Sequence, residues 1–351
     1  MELPKNMKAA ILVQQNSPLV IDQVQLPGSL EVGQVLVKVN CSGICGSQLG
    51  EIDGAKGEDN YLPHLLGHEA SGIVRSVGIG VRFVKPGDHV VLHWRKSQGI
   101  ESVPPKYSWK GQPLNAGLIA TFNEYAILSE NRVTKINEDT DMAVASLYGC
   151  AVTTGFGVAE NNAKIKFGES VVVFGAGGVG LNMVQAANLL SAHPIIAVDL
   201  HDKRLNLAKT LGATHIINSN TLDAKKMIVE IVGDHGVDIF IDNTGVPAII
   251  EMGYELTSAK GRVVLVGVPQ KGNTVNIYSL PLHFGKTISG SHGGEAIPHE
   301  DIPRYQKLLD SGHIQLKPLI TDFFTLDEIN SAIQKMRNGD IAGRCLINMG
   351  N

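Results

Sequence analysis

The sequence predicts an α/β protein that combines a mostly β region with a doubly wound parallel sheet. Residues 1 to about 150 contain short β-branched runs broken by glycine and proline, as in VLVKVN, EASGIVRSVG, DHVVLHW and NEYAIL. From about 152 to 290, apolar strands alternate with helical stretches, which is typical of βαβ units. The chain of 351 residues is long enough for two domains, each with its own core.

Composition excludes several classes of partner. Hydrophobic residues make up 43% of the chain, charged residues 18%, and the net charge is −4. No basic field would attract nucleic acid or an anionic membrane, so neither is expected as a partner. There is no signal-like segment and no run of about 20 apolar residues, so we expect a cytoplasmic protein. Four cysteines do not form a disulfide framework and favour metal or catalytic use.

In the first region, CSGICGSQLG at residues 41–50 places Ser47 two residues after Cys45. These residues are either a metal ligand with a proton partner or small side chains in a packed strand. The segment alone does not decide between the two.

In the second region, the strands VVVF, IIAV and VVLV are apolar throughout, as expected for a sheet covered on both faces. After residue 295 the chain has two helical stretches and the strand-like GRCLINM, without the regular alternation of strands and helices. We expect this tail to rejoin the first domain. The predicted domains are therefore 1–151 with 295–351, and 152–294.

A glycine motif, Gly175-x-Gly177-x-x-Gly180, lies between a predicted strand and a predicted helix. The first glycine allows a tight turn, the second a close pyrophosphate, and the third close packing of helix on strand. The helix N-terminus then faces the phosphates. A glycine-rich turn without a ligand is the alternative.

Asp199 ends the next strand, 199 − 175 = 24 residues after the first glycine. A carboxylate there accepts hydrogen bonds from ribose hydroxyls and repels a 2′-phosphate, which favours NAD over NADP. Lys203 and Arg204 follow closely and weaken that preference. Asp199 could instead cap the following helix.

Metal-binding residue types occur at three separate places. LLGHEASG contributes His68 and Glu69, LYGCAVTTG contributes Cys150, and Cys45 completes a set of types that zinc prefers. Three protein ligands leave a position for water or substrate, as in a catalytic site. Lone histidines are common in cores, and the long separations give the set no direct support.

The motifs GICGS, GHEASG, GC-x-x-TTG and GAGGVG occur in this order, with PGDHV, FIDNTG and FTLDEINSAI as further matches. In these motifs and their order, nearly the whole chain resembles the zinc-dependent medium-chain alcohol dehydrogenases, most strongly their glutathione-dependent formaldehyde dehydrogenase and liver-type branch. The resemblance implies a GroES-like catalytic domain, a Rossmann domain and interconversion of an alcohol with its aldehyde or ketone. It also implies a homo-oligomer, a dimer or a tetramer.

The resemblance assigns roles to residues. Cys45, His68 and Cys150 would bind one catalytic zinc, with Glu69 beside it. Ser47 would take the substrate proton. NAD would be bound by Thr154, Gly175, Gly177, Gly178, Val179, Gly180, Asp199, Lys203, Val266, Val268 and Arg344.

The chain departs from this family in three places. The stretch HWRKSQGIESVPPKYSWKGQPLNAGLIATF has no cysteine where relatives hold a structural zinc, so we expect none, and a loop ordered by other packing. Gln48 replaces an aspartate that orients the histidine ligand. Gly50 replaces a proton-relay histidine, for which Glu51 or a water would substitute.

Two other functional classes stay open. One is a zinc-free, quinone-reductase-like NAD(P)-dependent reductase, which metal content would distinguish. The other is a non-catalytic nucleotide-binding protein, which any NAD-dependent turnover would exclude. The polar stretch that begins HWRKSQG either faces a polar substrate such as a polyol or sugar, or is a solvated loop.

Overall fold

The computed structural model describes residues 3–350, which form two compact units. The first unit contains residues 3–150, 297–310 and 316–350, and the second contains residues 151–296 and 311–315. The strands are β1 (Asn6–Leu12), β2 (Val20–Gln25), β3 (Gln34–Ile44), β4 (His64–Leu65), β5 (Glu69–Val77), β6 (His89–His93), β7 (Tyr107–Trp109), β8 (Gln112–Leu114), β9 (Tyr125–Ser129), β10 (Val133–Lys135), β11 (Val171–Phe174), β12 (Ile195–Asp199), β13 (His215–Asn218), β14 (Val237–Asp242), β15 (Thr257–Leu265), β16 (Thr287–Gly290), β17 (Ile320–Thr325) and β18 (Arg344–Asn348). The helices are α1 (Gly46–Ile52), α2 (Met142–Ser146), α3 (Ala151–Gly157), α4 (Gly178–Leu189), α5 (Asp202–Thr210), α6 (Ala224–Val232), α7 (Pro247–Leu256), α8 (Pro298–Asp310) and α9 (Ile329–Arg337).

The first unit is built from two mostly antiparallel sheets. One has the order β4-β1-β2-β7-β8, and the other has the order β10-β6-β5-β3-β18-β17 with β9 also paired to β3. Strand β18, from the tail of the chain, pairs antiparallel with β3 and parallel with β17. The tail strands therefore complete a sheet that residues 34–135 begin.

The second unit is a parallel sheet in the order β13-β12-β11-β14-β15-β16. Strands β11 and β12 are buried along their whole length, as their continuous apolar sequences predict. The predicted fold class, a mostly β region joined to a parallel α/β sheet, is confirmed.

The cysteine-free stretch after β6 is ordered by buried polar groups. The Glu130 carboxylate accepts hydrogen bonds from the backbone N–H groups of Ile100 (2.9 Å), Arg82 (2.5 Å) and Phe83 (2.9 Å). The Arg132 guanidinium donates to the carbonyl of Trp94, and it pairs with the Glu101 carboxylate. Further contacts join Ser97 to His299 and Lys96 to Glu101.

Between residues 3 and 350, no single helix is long and apolar enough to cross a membrane. Met142–Gly149 and Ala151–Asn162 together reach that length and apolar character, but the chain bends between them.

Candidate active site

Three donor atoms converge in the first unit. The two sulphur atoms of Cys45 and Cys150 and a ring nitrogen of His68 lie within 4.8 Å of one another. Both cysteines are buried and His68 is half-buried. The structure thus brings together three residues that the sequence keeps far apart.

Local structure explains this convergence. Cys45 follows the last residue of β3 and is the N-cap of α1, while His68 lies just before β5. Strands β3 and β5 are antiparallel neighbours, so the end of one lies beside the start of the other. Gly149 packs so closely on Glu69 that a Cβ atom would lie 2.7 Å from the Glu69 Cα atom. This packing brings Cys150 to the same place.

The donor set fits a zinc ion. Zn–S bonds of about 2.3 Å and Zn–N bonds of about 2.0 Å in a tetrahedron separate ligand atoms by roughly 3.5–3.8 Å. The hydrogen bond with the Cys150 side chain, above all, holds the pKa of the Cys45 thiol well below its usual value, against the opposing effect of burial; His68 and the charge of Arg344 also lower it. A low thiol pKa favours the thiolate, which is the metal-binding form.

Gln48 orients the imidazole of His68. Its Oε1 atom accepts a hydrogen bond from the backbone N–H of Cys45 at 2.9 Å, and its amide nitrogen contacts Nδ1 of His68. Within residues 3–350 the buried Nε2 atom of His68 has no hydrogen-bond partner of normal geometry. This unsatisfied nitrogen lies where a metal would bind.

Ser47 lies in the first turn of α1, two residues from Cys45. Its Oγ atom is buried, and no described residue forms a hydrogen bond with it. A buried hydroxyl without a partner is costly, so a ligand that exchanges a hydrogen bond with it would be favoured.

Glu69 and Arg344 form an ion pair in the core of the first unit, where they are 0% and 3% exposed. The roles predicted for them, Glu69 beside zinc and Arg344 on a pyrophosphate, stay predictions.

Sequence reasoning missed Trp94. Its ring centroid lies 6.4 Å from that of His68, and the Arg95 guanidinium lies 5.7 Å from the Trp94 ring centroid. The neighbouring His93 is buried between the Arg95 carbonyl and the Thr134 hydroxyl, and desolvation lowers its pKa to about 4. His93 is therefore a neutral core residue. Nothing in the sequence around residues 93 and 94 indicated that Trp94 lies beside His68.

A second group of possible ligands, Glu51, Asp59 and His64, was also missed. The Nε2 atom of His64 lies 2.8 Å from the Asp59 carboxylate and 3.8 Å from the Glu51 carboxylate, while Nδ1 lies 2.9 Å from the Leu65 carbonyl. The hydrogen bonds of His64 to Asp59 and to the Leu65 carbonyl account for the group without a metal.

In the second unit, the glycine motif forms the turn from β11 into α4, as predicted. Gly175 has a φ of +97°, a conformation that a side chain rarely allows. A Cβ atom on Gly180 would lie 2.0 Å from the Gly175 carbonyl oxygen. Gly177 is the N-cap of α4, so the first N–H groups of this helix lie within the motif, from Gly178 onward.

Asp199 lies at the end of β12 and is 5% exposed. Its carboxylate accepts hydrogen bonds from the backbone N–H groups of Ala176 (2.8 Å) and His201 (3.0 Å). The alternative that Asp199 caps the next helix is wrong, because His201 is the N-cap of α5. The Arg204 guanidinium lies 3.7 Å from the Asp199 carboxylate.

The other residues predicted to bind NAD lie at several places in the second unit. Thr154 is buried in α3, and Val179 is half-buried in α4 next to Gly178. Val266 and Val268 follow β15, and Lys203 is exposed in α5. Their contacts with a cofactor stay predictions.

Family profiles match most of the chain. The alcohol dehydrogenase GroES-like domain matches residues 31–138, and the zinc-binding dehydrogenase profile matches residues 178–311.

Individual proteins match over nearly the full length. S-(hydroxymethyl)glutathione dehydrogenase of Escherichia coli O139:H28 is 32% identical, over 95% of this chain and 97% of that protein. Benzyl alcohol dehydrogenase of Acinetobacter calcoaceticus superposes with a TM-score of 0.88 at 32% identity, covering 99% of this chain and 100% of that one. An alcohol dehydrogenase zinc-binding domain protein of Burkholderia ambifaria gives a TM-score of 0.89 at 29% identity, with 99% of each chain covered.

Proposed function

Because the chain belongs to the zinc-binding alcohol dehydrogenase family, we propose that it oxidises an alcohol to an aldehyde or ketone with NAD, and catalyses the reverse reaction, at one zinc ion per chain. The observation that carries the proposal is the convergence of Cys45, His68 and Cys150 around an unsatisfied imidazole nitrogen. No cysteine occurs between residues 46 and 149, which supports the absence of a structural zinc.

Cys45, His68 and Cys150 would hold the zinc and leave one position for the substrate. When bound, zinc supplies Lewis acidity that lowers the pKa of the alcohol hydroxyl, and NAD supplies the hydride acceptor. A metal on Nε2 of His68 requires a proton on Nδ1, which then needs an acceptor. Gln48 provides this acceptor if its side-chain amide flips so that Oε1 faces His68. The hydrogen bond from the Cys45 backbone N–H to Oε1 is then lost.

Ser47 acts as the proton acceptor in this proposal. Its Oγ atom is buried, unpartnered and two residues from a zinc ligand. A hydroxyl there accepts the alcohol proton and passes its own proton on, which is general-base assistance worth about 100- to 10,000-fold.

The second unit would bind NAD at the turn from β11 into α4. The N-terminus of α4 offers free N–H groups to the pyrophosphate, and Gly177 leaves room for its approach. The Asp199 carboxylate, fixed by two backbone N–H groups, would accept the ribose hydroxyls.

For the substrate, an alcohol with an aromatic group is favoured over a polyol. The Trp94 ring lies beside His68 and supplies an apolar wall. The polar side chains of the adjacent stretch, Lys96, Glu101 and Ser97, are already paired within the first unit. The similar protein from Acinetobacter is named for benzyl alcohol.

A homodimer in the cytoplasm is the proposed state of the protein. The four cysteines all lie in the described part of the chain and form no disulfide, which suits a reducing compartment. Strand β16 is the outer strand of the parallel sheet, and two of the aromatic residues that precede it, Tyr278 and Phe284, are 71% and 69% exposed. An open strand edge with exposed aromatic residues is suited to pairing with a second copy.

Two substitutions test the proposed chemistry because they should fail differently. Cys45→Ala removes a thiolate, so zinc should be lost and turnover abolished. Ser47→Ala should keep zinc and lower kcat by about 100- to 10,000-fold, with a smaller loss at high pH where hydroxide assists. The measurements are zinc per chain by elemental analysis and NAD-dependent oxidation of benzyl alcohol.

The matched control is Cys41→Ala, four residues earlier. Cys41 is equally buried, and desolvation raises the pKa of its thiol to about 11, so it should be inert. This variant should retain about one zinc and near-normal turnover. If Cys45→Ala retains both, or if the wild-type chain holds two tightly bound zinc ions, the proposal is wrong.

A further inference from the structure

A cavity of about 200 Å³ opens in the first unit, between residues 137–144 and the last turn of α8. We propose that it binds a short alkyl amine in its ammonium form, with a linear diamine as the best-fitting class of ligand. The proposal is independent of the dehydrogenase reaction, since none of the residues predicted for catalysis lines this cavity.

The cavity is strongly acidic. Asp139, Asp141 and Asp310 line it, and no described lining residue is basic. The formal charge of −3 attracts cations into the cavity.

Gln306 gives independent support for a ligand. It is only 8% exposed and lines the same cavity. Its amide nitrogen donates to the Asp310 carboxylate at 2.7 Å, but its buried Oε1 atom has no partner within residues 3–350. Buried acceptors are nearly always paired, and an N–H donor in the cavity would satisfy this oxygen.

The spacing of the acids argues against a directly bound metal ion. Groups of three ligand atoms within 4.8 Å occur, in the part of the chain described, at Cys45/His68/Cys150 and at Glu51/Asp59/His64, and the three cavity aspartates form no such group. Oxygen ligands of one Ca²⁺ or Mg²⁺ ion must lie within about 5 Å of one another.

An alkyl diamine matches both the polar and the apolar parts of the lining. Its two ammonium groups can each donate to a different carboxylate at about 2.8 Å. The methylene chain can pack against Val144 and Leu309, which also line the cavity. The volume is below the roughly 300–1,000 Å³ of pockets for drug-sized ligands, so the ligand must be small.

The test is calorimetric titration of the full, zinc-loaded chain with 1,4-diaminobutane at low ionic strength. We expect saturable binding of one equivalent that weakens as salt is added. Asp139→Asn and Asp310→Asn should each weaken binding about 10- to 100-fold, since each removes a charge-assisted hydrogen bond. Gln306→Leu should also weaken binding without changing the charge.

Glu138→Gln is the matched control, because it removes the same charge from the adjacent, exposed residue that does not line the cavity. It should leave the affinity within about twofold. Three results would overturn the proposal: no saturable binding up to about 10 mM diamine, equal weakening by Glu138→Gln and Asp139→Asn, or displacement of the diamine by lower concentrations of Mg²⁺. Urea unfolding of each variant excludes misfolding as the cause.

Discussion

Side-chain chemistry makes Cys45, His68 and Cys150 possible zinc ligands, because thiolate and imidazole are donors that zinc prefers, but it was the family resemblance that selected these three. Their convergence depends on the pairing of β3 with β5, which no spacing in the sequence reveals. Trp94 could not be predicted at all, since a tryptophan acquires a role in a site only through its neighbours. The orientation of Gln48 was likewise open, and the structure turns its amide nitrogen toward His68.

Trp94→Ala should reduce selectivity for aromatic alcohols. Removing the ring beside His68 should lower kcat/KM for benzyl alcohol by about 5- to 30-fold, while kcat/KM for ethanol changes little. Trp94→Phe, which keeps an aromatic face, is the control and should retain most of the selectivity. Equal losses for both alcohols would show that Trp94 only supports the fold.

Asp199→Asn should shift cofactor preference toward NADP. The wild-type chain should favour NAD, since the carboxylate would repel a 2′-phosphate. Asparagine keeps the shape but removes the charge, so the NAD/NADP ratio of kcat/KM should fall by about tenfold or more. Lys203→Ala is the control for the neighbouring positive charge. A wild-type preference for NADP would show that Arg204 or Lys203 controls the pocket.

At the scale of elements, short-range patterns predict the regular structure and miss the irregular loop. Strand β11 is recognisable because both faces are buried, so every residue is apolar. The segment after β6 has no such period. It is ordered by Glu130 and Arg132, about 30 residues further along the chain, and a charged residue in a sequence is expected to be exposed.

Glu130→Gln should destabilise the first unit. Glu130 is 1% exposed, and its two carboxylate oxygens accept three backbone N–H groups. An amide has one oxygen, so its NH₂ group would face an N–H donor and leave it unpaired. The free energy of unfolding should fall by about 2–3 kcal/mol. Urea unfolding measures this loss, with exposed Glu138→Gln expected to lie within about 0.5 kcal/mol of wild type. A similar small change for Glu130→Gln would contradict the role assigned to it.

At the scale of the whole molecule, the sequence has two kinds of pattern, short β-branched runs followed by strands that alternate with helices. They correspond to a mostly antiparallel first unit and a parallel second unit. The tail after residue 295 could be assigned to the first domain only because it lacks the alternation of strands and helices. Its pairing partner, β3, is about 300 residues away, and a strand carries no local sign of so distant a neighbour. The family resemblance, and not the pattern of apolar residues, identified the GroES-like and Rossmann domains and assigned roles to the site residues.

Dimerisation through the edge of the parallel sheet is a further prediction at this scale. A stable interface buries about 800 Å² per partner and is rich in aromatic residues. Tyr278 and Phe284 are exposed in the segment before β16, so Phe284→Glu should place a charge in the interface and favour the monomer. Phe167→Glu is the matched control, because Phe167 is 85% exposed in the same unit and precedes β11, which lies three strands away from β16 in the sheet. Light scattering after size exclusion should give a dimer of about 75 kDa for the wild type and for Phe167→Glu, twice the 37.5 kDa chain, and a monomer for Phe284→Glu at micromolar concentration. A wild-type monomer, or a Phe284→Glu dimer of unchanged stability to dilution, would exclude this edge as the interface.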